Sequence, residues 1–282
     1  MIPLLGPIVL VACLASGLGI IGLIYRAQAG RPLVLPRPHQ PVPWQGIDVL
    51  WLFLLFLGCQ AVVGSLITSE QTRILFTDGV SAEGADAPAS LGPRLLANAL
   101  AMLVFTPLAG LVLRLRGATA TDLGFRDPRP LEGLKLAVAT WVIIVPPLLA
   151  VAALLDHFVV SYQHPVIDFL AADGSGYAVG LVLLSAVVAA PIAEEFFFRR
   201  VLQGWLETQM GNRAVVVSAI AFGLAHVSHG LGWVPLIGFG LATGYLARQR
   251  GSVLPCMVVH ALFNAVSVGL LLLARPESTP PG

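Results

Sequence analysis

Six stretches of this chain, Ile2 to Tyr25, Val49 to Ser69, Leu95 to Leu113, Leu136 to Leu155, Gly174 to Ala193 and Gly251 to Ala274, contain no Asp, Glu, Lys or Arg, and each is about 19 to 24 residues long. A helix of about 20 apolar residues crosses the hydrocarbon core of a bilayer, where only a helix or a closed barrel can satisfy its own backbone. A seventh stretch, Ala214 to Ala247, is equally free of these charges but is interrupted by His226, Ser228, His229 and Gly230. It reads as two shorter spans joined by a tight turn. The expected fold is all-α, a polytopic membrane helical bundle of about eight transmembrane helices forming one integral membrane domain over residues 1–282.

Composition agrees. Only 11% of the residues are charged and 57% are hydrophobic, against roughly 25% charged in an ordinary soluble domain, which excludes a water-soluble globule. A net charge of +1 leaves no basic surplus to hold nucleic acid; the partner demanded is the lipid bilayer. Ala27-Gln28-Ala29 resembles a signal-peptide cleavage site, but the apolar run before it is too long and lacks a basic leader, so the first helix is read as retained. Basic clusters (Arg26, Arg31 and Arg37; Arg114, Arg116, Arg126, Arg129 and Lys135; Arg248 and Arg250) alternate with acidic ones (Glu70, Asp78, Glu83 and Asp86; Asp156, Asp168 and Asp173). Positive loops stay cytoplasmic, so both termini are expected outside, in a multi-pass protein of the cell (plasma) membrane. Cys13, Cys59 and Cys256 fall inside expected helices with no CxxC spacing and read as small apolar residues. Gly240 and Gly244 form a GxxxG suited to close helix packing.

The expensive charges are the informative ones. The fifth run continues through Pro191 into Glu194-Glu195-Phe196-Phe197-Phe198-Arg199-Arg200 and then Val201, Leu202, Trp205 and Leu206, so its helix extends to about Met210. Such a helix, roughly 45 Å long at 1.5 Å per residue, carries Glu194 near its midpoint, and carboxylates at that depth are functional by default. Glu195 and Arg199 are four apart and form a charge pair on one face. Glu194 lies about 100° round the helix, away from that arginine, as suits a general base. Pro191 has no N–H to offer the carbonyl of Val187, which loosens the helix one turn before the acids. Phe222 and His226 are four apart, so the phenyl ring can orient the imidazole; His260 and Asn264 are also four apart and share a face. Rise arithmetic puts His226 about 20 Å, His260 about 12 Å and Asn264 about 18 Å into the membrane, depths that allow convergence around Glu194. His39, His157, His164 and His229 fall in loops or turns and read as solvated.

The ordered set Glu194-Glu195-x-x-x-Arg199, Phe222-x-x-x-His226 and His260-x-x-x-Asn264 resembles the three motifs of the CAAX protease and bacteriocin-processing (Abi) family of intramembrane glutamic endopeptidases. All three are matched, on the helices of residues 174–275. Asp122-Leu123-Gly124-Phe125 is weakly similar to a segment common upstream in that family. The resemblance implies a membrane endopeptidase acting on a peptide or lipidated protein substrate, with the site in a cavity of the bundle. It implies that Glu194 and His226 position and deprotonate water and that His260 and Asn264 support the oxyanion. Glu195 and Arg199 would brace the site, with Phe222 against the histidine, and no cofactor or metal is expected.

Three alternatives stay open on the residues alone. Glu194, His226 and His260 with a water could make a zinc site, although no HExxH is present. Cys256, four residues before His260, could serve a thiol protease. The acids could instead relay protons or bind a partner in a transporter or immunity protein that cuts nothing.

Overall fold

The computed structural model of the chain describes residues 5–31, 41–68, 91–159, 166, 169–170 and 175–273. The acidic Glu70, Asp78, Glu83, Asp86, Asp168 and Asp173, with Arg37, His39 and His164, lie outside the described residues.

Eight helices carry the architecture of the described residues: α1 (Leu5–Gln28), α2 (Gly46–Thr68), α3 (Leu91–Leu115), α4 (Pro130–Phe158), α5 (Gly176–Met210), α6 (Arg213–Leu224), α7 (Trp233–Arg250) and α8 (Leu254–Leu273). All but α6 are long and apolar enough to cross a membrane, so the chain is a polytopic membrane helical bundle. The 12 residues of α6 rise only about 18 Å, less than the roughly 30 Å hydrocarbon core. The interrupted seventh stretch is therefore a hairpin with one short arm, turned by a 3₁₀ segment, Val227–Gly232. As the sequence predicts, α5 runs on to Met210, 35 residues in all.

The residues gather into two compact units. The first comprises Met1–Gln45, Arg116–Tyr162 and Glu195–Val259, the second Gly46–Leu115, Gln163–Glu194 and His260–Gly282, so α5 and α8 contribute residues to both.

In the first unit α1 lies against α4, where the Ser16 hydroxyl donates to the Ile143 carbonyl at 2.7 Å. The hairpin arms α6 and α7 meet at glycine. A Cβ on Gly240 would sit 2.9 Å from Ala219 Cα, and one on Gly244 2.9 Å from Val215 Cγ1. The GxxxG thus serves close packing. Gly240→Ala is expected to cost about 1–3 kcal/mol, because the neighbour is backbone and cannot turn aside. Gly17→Ala, where nothing lies within 4 Å, should leave the melting temperature in detergent unchanged. Equal melting temperatures for the two variants would refute the packing role.

Arg250, expected among the cytoplasmic loop charges, is 3% exposed. Its guanidinium holds both oxygens of Asp127 and also donates to the Arg129 carbonyl at 3.0 Å. A cation ending a helix is favoured by the dipole there, and the bidentate carboxylate satisfies it inside the protein.

The second unit is built on Phe169, Leu170, Ala178, Val182 and Val268. Ser175 caps the start of α5 by accepting from the Ala178 N–H at 3.2 Å. Its apolar helices are pinned by one polar chain: Gln60 donates to Asn98 at 2.6 Å, and Asn98 donates to the Ser185 hydroxyl at 3.3 Å.

Candidate active site

The α5 helix is not a plain α-helix through its acids. Two π segments, Leu183–Ala189 and Phe196–Leu202, flank the α-helical stretch Ala190–Glu195. A π segment pairs each N–H with the fifth carbonyl back instead of the fourth, and such bulges collect at functional sites. Carbonyls in these segments accept from side chains of other elements. In the first unit Phe198 O accepts the Ser218 hydroxyl at 2.8 Å and Val201 O accepts Trp44 Nε1–H at 3.0 Å. In the second, Ala186 O accepts the Asn264 carboxamide at 2.6 Å. In a bilayer each such carbonyl must find a donor within the protein.

The proline argument needs one correction. The Ala190 N–H already bonds Ser185 O, five residues back. In that register the carbonyl from which Pro191 withholds an N–H is Ala186's and not Val187's, and Asn264 is the residue that takes it.

The i+4 ion pair predicted for Glu195 and Arg199 is present at 3.0 Å, with both side chains fully buried. Arg199 Nη1 also donates to Ser218 at 3.2 Å, and the guanidinium lies 4.7 Å from the centre of the Phe222 ring, a cation–π distance. Phe222 in turn packs on His226, with ring centres 4.8 Å apart. Removing one partner of a buried pair strands the other's charge, at about 3–5 kcal/mol. Glu195→Ala should therefore lower thermal stability by that order, and Glu195→Leu with Arg199→Met should recover most of it. A double variant no more stable than Glu195→Ala would sink the stranded-charge account.

His226 caps the 3₁₀ turn between the hairpin arms. Its Nδ1 lies 2.8 Å from the Phe222 carbonyl. A carbonyl only accepts, so Nδ1 carries the proton and Nε2 keeps its lone pair. The histidine is thus held in the tautomer a base requires.

Glu194 is half-buried at the end of the α-helical stretch. His260 is 4% exposed and stands one turn before Asn264 on α8. Glu194, His260 and Asn264 belong to the second unit; Glu195, Arg199, Phe222 and His226 belong to the first. Cys256 is fully buried, and its thiol donates to the Thr243 carbonyl at 3.2 Å, which spends it as a packing residue. His157 stacks edge-on against Phe158.

Ser218 and Trp44 were not singled out by motif. Ser218 was within reach of it, since it precedes Phe222 by four residues and shares that face; no spacing points to Trp44. The Asp122-Leu123-Gly124-Phe125 segment also has structural work. Arg200 donates to the Asp122 carbonyl, Ser252 and Val253 donate to that of Gly124 at 2.9 and 3.0 Å, and the Phe125 ring stacks on Phe196 with centres 5.2 Å apart.

Residues 176–266 match the family model described as Rce1-like, the type II CAAX prenyl endopeptidase. No curated protein and no solved structure matches the chain significantly.

Proposed function

This chain carries at residues 176–266 the endopeptidase domain of the CAAX protease and bacteriocin-processing family, and we propose that it hydrolyses a peptide bond of a membrane-associated, peptide or lipidated protein substrate with water activated by Glu194 and His226. It is an integral membrane protein and a membrane protease; the glutamate chemistry is the proposed step. Glu194 takes the proton of the attacking water, which His226 Nε2 helps to position. His260 and Asn264 then stabilise the negative charge that develops on the carbonyl oxygen.

The observation that carries this reading is the His226 imidazole, whose Nδ1–H is committed to the Phe222 carbonyl. Phe222 is held under Arg199, so the ring, the ion pair and the base form one connected support. A histidine serving only as helix-to-helix glue would not need its tautomer fixed by its own helix.

Expression of Glu194→Gln beside the wild type, with comparison of the two membrane proteomes, tests the reading. Membrane proteins that accumulate uncut in the variant support it and identify substrates. Identical proteomes, together with no turnover by purified wild type, would move the protein to the non-enzymatic class.

A further inference from the structure

The geometry points to Pro191 as a positioning residue for Asn264, acting through the Ala186 carbonyl. In the π register of Leu183–Ala189, Ala190 N–H goes to Ser185 O, and the next donor in line for Ala186 O is residue 191. Proline has no N–H. The Asn264 Nδ2 donates to that carbonyl at 2.6 Å, at the short end for a hydrogen bond of this type. A primary carboxamide has two N–H groups, so one tethers the group and the other remains for a ligand. The proline selects the tether: with any other residue at 191, Ala186 O acquires a backbone donor in either register, from residue 191 in π geometry or from Ala190 in α geometry.

The proposal rests on the reading of Asn264 as an oxyanion donor, for such a donor must be oriented before charge develops. A proline inside a helix is otherwise unfavourable, and positions that trade stability for a set geometry collect at functional sites.

Pro191→Ala distinguishes positioning from mere structure, because it restores an N–H and helix propensity and should not lower the melting temperature. The chain has three asparagines, Asn98, Asn212 and Asn264, so protein labelled with ¹⁵N-asparagine in lipid nanodiscs gives three side-chain amide pairs, and Asn264→Ala identifies its own by deletion. In Pro191→Ala the Asn264 amide should exchange faster with water and lose its low-field proton. Turnover of a farnesylated, internally quenched CAAX peptide should fall about tenfold or more in kcat, with KM little changed, as expected for a donor that acts on the transition state. Replacement of Pro191 by lactic acid, which lacks the N–H but also lacks the ring, should restore both the amide signal and kcat.

An Asn264 amide unchanged in Pro191→Ala overturns the proposal whatever the activity. A displaced amide with unchanged kcat upholds the tether and instead removes Asn264 from the chemistry, which separates failure of this inference from failure of the proposed function.

Discussion

Glu194→Gln is expected to abolish measurable cleavage while leaving the fold intact. Glutamine keeps the shape of the side chain and can still donate and accept hydrogen bonds, but it cannot take a proton from water near neutral pH. A positioned general base is worth about 10²–10⁴ in rate. Glu194 is half-buried, so the isosteric change should shift stability by no more than about 1 kcal/mol, a few degrees in melting temperature for a chain of this size. The neighbouring acid behaves in the opposite way. Glu195 is fully buried against Arg199, and its loss is read first as a drop in stability. Consecutive carboxylates with opposite phenotypes, one catalytic and one thermal, are the signature to look for. Cleavage by Glu194→Gln at the wild-type rate would end the proposed mechanism.

Asn264→Ala is expected to lose about 10²–10³ in turnover, the size of one missing oxyanion donor, with substrate binding largely retained. Stability should fall as well, by about 1 kcal/mol, since the Ala186 carbonyl loses its side-chain donor. The same residue bears on whether a metal activates the water. Asparagine donates readily to an oxyanion but is a poor zinc ligand, so its place one turn from His260 is explained by the first role and not by the second. Purified enzyme should carry no stoichiometric metal and keep its activity in strong chelators. Inactivation by chelation with recovery on adding zinc would instead put Glu194, His226 and His260 around a metal.

The membrane class of the fold was legible because it depends on run length and charge alone, and neither is altered by tertiary packing. The extension of α5 to Met210 was legible for the same reason: apolar residues resume beyond Arg200. The Glu195–Arg199 pair and the Phe222–His226 contact were legible because each closes within one helical turn, where spacing is geometry. The length of α6 was less accessible, since Arg213–Leu224 ends in Ala225 and His226 without a proline and with no helix-breaking run before Gly230. The identity of the carbonyl freed by Pro191 was out of reach, because counting back from a proline presumes an α ladder and the local register is π. Arg250 was misread as a surface charge because its partner, Asp127, is more than a hundred residues away. No local pattern announces a pair of that separation. The bonds from Trp44 to Val201 and from Ser218 to Phe198 share this property: they satisfy carbonyls whose availability arises only once the helix has left its ordinary ladder.

The two π segments of α5 also make the helix tolerant of changes in length that a uniform helix would not accept. Each holds a surplus of main chain relative to α geometry, so excising one residue within Leu183–Ala189 or Phe196–Leu202 can be absorbed by tightening the ladder, without opening a gap in it. What changes is angle. Losing one residue turns the following part of the helix by about 100° relative to the preceding part, so a deletion in the first segment would re-aim Glu194 while the second segment keeps its own register. Single-residue deletions therefore act on this helix as rotational adjustments, and a scan of them across α5 would separate its capacity to insert in a membrane from its capacity to present a carboxylate in the right direction.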